Sequence, residues 1–215
     1  MENVLSKEEC DMFLQHMFPD RTHYKDHHAT YPVLFRSWDP DPEAAYKKLG
    51  VRIFTKSQEV ADALFERARP YLPPTYTTYT KEKAKQVWKL SDLHPRIRFV
   101  CYEKGQNFPP HYDDPWIQSS KRRSHLTFVL YLSSSGKDCD FGGGEFAFLD
   151  EKKHLPDDSY AELVVIPPKP GMVVVFPHRT LHESKVITSG YKFMIRSDVM
   201  YDLEEEEKPA IDPQT

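Results

Sequence analysis

The second half of the chain is divided into short apolar segments, and this division most constrains the fold that the chain can adopt. From about residue 96 onward, apolar residues alternate with polar ones or form short runs, and clusters of glycine and proline separate the runs. Segments of this length, bounded by turn residues, are typical of β-strands. The predicted strands cover residues 96–102, 126–132, 142–148, 162–166, 172–176 and 192–200. Such a series favours an antiparallel sandwich or barrel.

Two helices are predicted ahead of these strands. Ser6 and Glu9 have the spacing of a capping box, and apolar residues follow them at helical intervals. The second helix is predicted over residues 57–69, before prolines that stop it. The fold class is therefore mostly β with N-terminal helices, and we expect residues 1–95 to form a helical support region of the same domain. The acidic run near the end predicts a flexible tail over residues 202–215.

Composition argues against several functional classes. The formal net charge is −4, so overall charge gives no support to nucleic-acid binding. The apolar runs are far too short to cross a membrane, and the N-terminus lacks the pattern of a signal peptide. Cys10, Cys101 and Cys139 form no CxxC pair, which fits a reducing compartment, and we expect a cytoplasmic or nuclear protein.

One pattern in the strand-rich half indicates metal chemistry. His111 and Asp113 are separated by one residue, so on an extended chain their side chains point to the same side. His182 follows the apolar segment 172–176. Two imidazoles and one carboxylate suit non-haem Fe(II) and leave coordination positions open for a co-substrate and dioxygen. The same three ligands also suit a catalytic zinc ion with a bound water.

Several segments around these residues resemble the prolyl-hydroxylase-like family of 2-oxoglutarate oxygenases. In chain order they resemble the entry to the active site, the strand after it, the Gly-Gly-Glu hairpin and the segment that carries the distal histidine. Their sequences are YEKGQNFPPHYD (102–113), LTFVLYL (126–132), FGGGEFAF (141–148) and PGMVVVF (170–176), the last followed by His182. The common order and spacing of the segments carry the resemblance.

The resemblance implies a double-stranded β-helix, also called a jelly roll or cupin-like fold, as a catalytic core over residues 96–201. It implies that the two histidines and the aspartate bind Fe(II), and that a cation on the last strand binds the distal carboxylate of 2-oxoglutarate. Lys192 and Arg196 share one face of that strand, with Lys192 favoured by position. Tyr131 and Tyr102 match positions where a hydroxyl helps to hold the co-substrate, and both could equally be core aromatics.

The activity implied by the resemblance is hydroxylation of a C–H bond with 2-oxoglutarate and dioxygen, giving succinate and CO2, with ascorbate as a possible auxiliary. A peptidyl proline is the first substrate expected, and a small molecule or a nucleic acid is the alternative. Trp116 is a candidate wall of the substrate pocket, and Arg123 a candidate contact for an acidic substrate. Two other classes stay open: a non-catalytic jelly-roll binding module, and a zinc hydrolase with Glu183 as its base.

Overall fold

The computed structural model describes the chain over four stretches, which contain two α-helices, a short 3-10 helix and thirteen strands. The described stretches are residues 1–17, 50–136, 139–156 and 159–207. The helices are α1 (Lys7–Met17), α2 (Gln58–Ala68) and the 3-10 helix Arg69–Tyr71. The strands are β1 (Val51–Lys56), β2 (Thr75–Tyr79), β3 (Lys85–Leu93), β4 (Arg96–Glu103), β5 (Phe108–His111), β6 (Ile117–Ser119), β7 (Arg122–Tyr131), β8 (Phe141–Gly143), β9 (Phe146–His154), β10 (Tyr160–Ile166), β11 (Val173–Pro177), β12 (His182–Ser184) and β13 (Ile187–Glu207).

Both predicted helices are present and are capped by side chains. At α1 the Ser6 amide donates to the Glu9 carboxylate at 2.8 Å, and the Glu9 amide donates to the Ser6 hydroxyl at 3.2 Å. These reciprocal bonds satisfy amides that a helix start otherwise leaves without partners. At α2 the Ser57 hydroxyl accepts from the Val60 amide at 3.2 Å. Arg67 of α2 also contacts the Glu9 carboxylate at 2.6 Å, which joins the two helices.

The strands form two antiparallel sheets. The larger one has the order β1-β4-β13-β3-β2, with β7 and β8 also paired to β13, and β11 and β6 paired to β7. The smaller one has the order β10-β9-β12-β5. All pairs of these strands are antiparallel. A curled sheet facing a smaller sheet is the arrangement of a jelly roll, so the predicted fold class is confirmed.

The large sheet has two different faces, because side chains alternate along each strand. On one face Phe99, Leu130 and Ile195 belong to the main hydrophobic core, which also contains the buried residues of α1 and α2. On the other face Val129 and Tyr131 belong to a second cluster, shared with the smaller sheet. The helices therefore cover one face of the large sheet and leave the other for the space between the sheets.

The structure differs from the sequence-based prediction at three places. The predicted strand 142–148 is divided into β8 and β9, because Gly143 and Gly144 both adopt a φ of 67° that extended chain does not have. The predicted helical support region also contains β1, β2 and β3, which belong to the large sheet. Residues 202–207, the first part of the predicted tail, are the end of β13.

The acidic end of β13 is held by its register with β3. Lys89 Nζ lies 3.6 Å from the Glu204 carboxylate, and the Gln86 amide donates to Glu206 at 3.0 Å. A run of like charges predicts a solvated segment, but here a polar strand with lysines lies opposite it, which reduces the repulsion. Residues 18–49 and 208–215, which include the rest of the predicted tail, lie outside the described stretches.

The structure also bears on the cysteines and on the length of the helices. Cys10, Cys101 and Cys139 are all free. Burial raises the pKa of Cys10 to about 11 and also raises the pKa of Cys101 well above its ordinary value, so both are neutral thiols packed as apolar groups. Within the described stretches, no helix has the length and apolar character that crossing a membrane requires.

Candidate metal and co-substrate site

Two short paired strands bring the predicted metal ligands together. In the antiparallel pair of β5 and β12, His111 lies directly opposite His182, and their ring centroids are 4.1 Å apart. Asp113 follows β5, and its carboxylate oxygens lie 3.9 Å from His111 Nε2 and 3.7 Å from His182 Nε2. The three ligand atoms all lie within 4.8 Å of one another. The smaller sheet thus gathers, at one end, the three residues that the sequence singled out.

Both imidazoles are held in the tautomer that a metal requires. His111 Nδ1 lies 2.8 Å from the Pro109 carbonyl, and His182 Nδ1 lies 2.8 Å from the Thr180 carbonyl. Because a carbonyl only accepts, each Nδ1 carries the proton and each Nε2 presents its lone pair. Burial, together with the neighbouring His182, lowers the pKa of His111 to about 4. Burial also lowers the pKa of His182, so both rings are neutral ligands at neutral pH.

Asp113 is fixed by two contacts of its carboxylate and one of its backbone amide. Thr127 Oγ1 donates to it at 2.6 Å, and Arg196 lies 2.8 Å away. The Asp113 amide donates to the His178 carbonyl at 2.9 Å. Burial raises the pKa of this carboxyl to about 6, and the hydrogen bond from Thr127 and the charge of Arg98 oppose that rise by stabilising the charged form. The side chain is therefore oriented toward the two histidines before any ion binds.

Behind Asp113 runs a chain of hydrogen bonds with a single direction. Thr127 uses its hydroxyl proton on Asp113, so His178 Nδ1, at 2.8 Å, must donate to Thr127. His178 Nε2 then accepts from the Ser124 hydroxyl at 2.8 Å, and that oxygen accepts from the Trp116 amide at 2.7 Å. Burial lowers the pKa of His178, consistent with the neutral ring that this order needs. The chain fixes the rotamer of the aspartate from outside the ligand set.

The donor set fits iron(II). Two neutral imidazoles and one carboxylate on one side of an ion are the facial triad of non-haem Fe(II) sites, and zinc accepts the same donors. A cavity of about 350 Å³ adjoins the ligands and is lined by residues that include His111, Asp113 and His182. The ligands therefore leave one side of an ion facing open space, as a site that binds a co-substrate needs.

Lys192 is the buried cation of this cavity. Its side chain is fully buried, and Nζ donates to the Ser184 hydroxyl at 2.6 Å and to the Gly144 carbonyl at 2.7 Å. Burial lowers the pKa of Lys192 to about 7. In the described stretches no carboxylate lies within ion-pair distance of Nζ, so a buried cation lining the cavity lacks an anionic partner. A carboxylate of 2-oxoglutarate fits that position.

Arg196, the other predicted cation, has acidic partners already. Its guanidinium lies 2.8 Å from Asp113 and 3.7 Å from Asp198. Lys192 and Arg196 line the same cavity, as the alternation along β13 predicts. The structure therefore distinguishes the two candidate cations: Arg196 is neutralised beside the metal ligands, and Lys192, which the sequence favoured by position, has no acidic partner in the described stretches.

The two predicted tyrosines both lie close to Lys192. Nζ is 5.4 Å from the Tyr131 ring centroid and 5.8 Å from that of Tyr102. The Tyr131 hydroxyl is buried and has no hydrogen-bond partner in the described chain, while the Tyr102 hydroxyl accepts from Arg52 at 3.5 Å. An unsatisfied buried hydroxyl is costly, so that of Tyr131 fits a site that a ligand oxygen completes.

The two predicted substrate contacts have different surroundings. Trp116 lines a second cavity, which shares Phe54 and Arg96 with the first. Arg123 lines neither cavity, because its guanidinium lies over the Trp88 ring, 4.4 Å from the centroid. Cation–π packing therefore holds Arg123 outside the lining of both cavities.

Sequence reasoning missed several residues of the cavity wall. They are Arg52, Phe54, Arg96, Arg98 and Ser184, together with Thr127 behind the aspartate. A signal for the arginines is present in the sequence, since segment 96–99 (RIRF) has arginine at alternate positions of an apolar strand, and segment 51–54 (VRIF) has one arginine between apolar residues. Arginines at that period indicate a polar inner face.

Comparison with known proteins is consistent with this geometry. The model of the family described as the 2OG-Fe(II) oxygenase superfamily matches residues 97–197. A PKHD-type hydroxylase from Prochlorococcus marinus is 28% identical over 98 residues, which are 46% of this chain and 38% of that protein. The chain thus matches well under half the length of this curated relative.

Two solved structures are similar over most of both chains. Viral collagen prolyl hydroxylase from Paramecium Bursaria Chlorella virus-1, in its 2OG complex, has a TM-score of 0.52 at 18% identity, covering 95% of this chain and 94% of that one. Prolyl hydroxylase from Trichoplax adhaerens, in complex with a hypoxia inducible factor peptide fragment, has a TM-score of 0.50 at 16% identity, covering 94% and 81%. At such identities the likeness shows the fold.

Proposed function

We propose that this chain, whose residues 97–197 match the model of the 2OG-Fe(II) oxygenase superfamily, is a 2-oxoglutarate-dependent dioxygenase that hydroxylates a peptidyl proline. The observation that carries the proposal is a pair of neighbouring features: the triad of His111, Asp113 and His182, and the buried Lys192 without an acidic partner. A zinc hydrolase has no use for such a cation, whereas an oxygenase needs it for its co-substrate.

In this proposal the side chains that line the cavity, together with Tyr131 beside Lys192, have separate roles. Lys192 binds the distal carboxylate of 2-oxoglutarate, with the hydroxyls of Ser184 and Tyr131 as further donors. Iron(II) held by the triad supplies, with 2-oxoglutarate and dioxygen, the oxidation of an unactivated C–H bond, giving succinate and CO2. Phe146 and Met194 line the cavity and exclude water from it.

The proposed substrate follows from the relatives and from the fold. The two prolyl hydroxylases support a proline in a protein or peptide as the substrate, and the PKHD-type hydroxylase supports hydroxylation as the reaction. A small molecule or a nucleic acid is the alternative within the same chemistry, and a binding module without turnover is the alternative outside it. We also expect ascorbate to sustain turnover, by keeping the iron ferrous.

The test measures succinate and peptide mass together. Purified protein is incubated with Fe(II), 2-oxoglutarate, ascorbate and proline-containing peptides in air, and mass spectrometry follows the gain of one oxygen atom. We expect succinate and hydroxylated peptide from the natural chain, neither from His182→Ala, and both from His16→Ala, which alters an exposed histidine of α1. Zinc-supported hydrolysis without 2-oxoglutarate, or binding of 2-oxoglutarate without succinate, would contradict the proposal.

A further inference from the structure

The cavity beside the triad carries a large excess of positive charge. Its lining contains five cationic side chains, Arg52, Arg96, Arg98, Lys192 and Arg196. In the described chain, Asp113 is the one carboxylate that lines it, and the proposed function assigns that carboxylate to the metal. The excess therefore has to be explained by something that the cavity binds.

The arginines form one continuous surface because of strand register. Arg96 and Arg98 share a face of β4 by alternation, and Arg52 and Phe54 share a face of β1. Phe54 lies directly opposite Arg98, and Arg98 lies directly opposite Arg196 on β13. The charged face of β1, β4 and β13 is thus the floor of the cavity, extending from the metal ligands toward the edge of the sheet.

Two of these arginines are already neutralised. Arg196 contacts Asp113 at 2.8 Å, and Arg98 lies 3.5 Å from the buried carboxylate of Asp198. Arginines paired in this way position their partners and have little charge left for a ligand. Their carboxylate partners account for the positive charge in the part of the floor that lies nearest to the triad.

The other two arginines have no carboxylate within ion-pair distance in the described stretches, and aromatic rings hold them in place. Arg96 lies over the rings of Phe54 and Trp116, 4.7 Å and 5.6 Å from their centroids. Arg52 lies over the Phe108 ring, 5.1 Å from its centroid. Stacking on a ring leaves the N–H groups at the edge of a guanidinium available to a carboxylate. Both are therefore oriented cations with free donors.

The space beyond Arg96 is long enough for a chain segment. A second cavity of about 690 Å³ adjoins the first and shares Phe54 and Arg96 with it. His94 and Trp116 form part of its wall, with ring centroids 4.8 Å apart, and Lys56 adds a further cation. Aromatic walls with a few fixed polar groups are how extended, proline-containing peptides are recognised.

We propose that the substrate is an acidic peptide, with its reacting residue at the triad and a carboxylate side chain a few positions away against Arg96, and with Arg52 as a second contact. This inference rests on the proposed function and names its substrate class. A nucleic acid fits less well, because it needs a continuous basic track. In the second cavity the carboxylate of Asp92 interrupts such a track and is itself paired with Arg122.

The test uses matched peptides. Each contains one central proline and one variable position, placed in turn at each site within about five residues on either side, a span of about 16 Å in each direction. The variable residue is glutamate, glutamine or lysine. Succinate and peptide mass are measured with the natural chain, with Arg96→Glu and with Arg69→Glu, which reverses an exposed arginine that lines neither cavity.

For the natural chain and Arg69→Glu, we expect glutamate peptides to be turned over about twofold to fivefold better than glutamine peptides at one or two positions, as for a partly exposed ion pair. In Arg96→Glu the preference should reverse, so that lysine peptides become the better substrates at those positions. A reversal requires direct contact between residue 96 and the variable peptide residue, because a general loss of folding would lower the turnover of all peptides alike.

Other results overturn the inference in recognisable ways. Equal turnover of glutamate and glutamine peptides, or no reversal in Arg96→Glu, removes the acidic contact while leaving the oxygenase intact. If no peptide increases succinate formation but a single-stranded oligonucleotide does, the two cavities bind nucleic acid and not an acidic peptide. Failure of the proposed function is distinct, since then no succinate forms with any addition, and 2-oxoglutarate does not raise the melting temperature.

Discussion

Along β13, successive residues alternate between two environments that differ in kind. Phe193 and Ile195 belong to the main core on the helix side, whereas Lys192, Met194 and Arg196 line the cavity. The helix side gains stability from apolar burial. The cavity side contains a fully buried amine and, nearby, a buried hydroxyl without a partner, and each of these lowers stability until a ligand binds. Along this one strand, alternate residues therefore stabilise the fold or line the candidate site.

The largest effect is expected at the buried amine itself. In Lys192→Met the affinity for 2-oxoglutarate should fall at least about a hundredfold, because removing one partner of a buried ion pair costs about 3–5 kcal/mol. The melting temperature should stay the same or rise, since an apolar side chain of similar length replaces an amine whose charge burial disfavours. Co-substrate binding is measured by titration in the presence of Mn²⁺, and unfolding by calorimetry.

Two variants make this result specific. Lys89→Met removes an exposed lysine of β3 and should change neither quantity. Arg196→Met should act on the metal rather than on 2-oxoglutarate, because its partner is Asp113. If Arg196→Met abolished co-substrate binding and Lys192→Met did not, the two cations would have the opposite roles.

The helix side should show the reverse pattern, with a loss of stability only. Ile195→Ala removes buried methyl groups from the main core and should lower the free energy of unfolding by about 2–5 kcal/mol. The affinity of the folded protein for 2-oxoglutarate should stay unchanged. Urea denaturation gives the first quantity and titration well below the transition gives the second. A comparable loss of affinity would show that the two faces are not separable.

The same alternation along the strands explains which parts of the site could be predicted from the sequence. The period of two placed Lys192 and Arg196 on one face, and the HxD spacing placed His111 and Asp113 together. These are local patterns, and the structure bears them out. The strand that carries His182 has three residues, too few to show any period, so its pairing with β5 could not be derived in this way.

Contacts between residues that are far apart in the sequence could not be predicted from the sequence alone. The contact of Arg196 with Asp198 follows from their spacing of two on one strand, but its contact with Asp113 joins residues far apart in the sequence and does not. The position of Arg123 over the Trp88 ring, which lies on another strand, does not follow from spacing either. Tertiary neighbours, and not the type of side chain, decide which cations are free.

A smaller effect is expected behind the metal ligand. Thr127→Val keeps the shape of the side chain but removes the hydroxyl that donates to Asp113 and accepts from His178. Metal affinity should fall about tenfold to a hundredfold, the usual cost of losing a group that orients a ligand. Thr127→Ser should restore most of it, and Thr77→Val, on an exposed site of β2, should have no effect. Equal metal affinity in all three variants would make the hydrogen-bond chain irrelevant to the site.

The smallest effect is expected in the response to pH, which should change both the affinity for 2-oxoglutarate and the stability of the unliganded protein. Burial lowers the pKa of Lys192 to about 7 in the unliganded protein, while the bound carboxylate favours the charged form and raises that pKa again. Binding then takes up a proton above pH 7, so affinity for 2-oxoglutarate should fall up to about tenfold for each further pH unit.

Unliganded stability should change in the opposite direction over the same range. Between about pH 7 and the ordinary lysine pKa near 10.5, the unfolded chain holds a proton at Lys192 that the folded chain lacks. The unfolded state binds more protons, so the contribution of Lys192 to the free energy of unfolding increases with pH. Lys192→Met, compared with the natural chain at each pH, should remove both slopes. If the natural chain and the variant followed parallel curves, the amine would already be paired with an anion, and its place as the co-substrate cation would be lost.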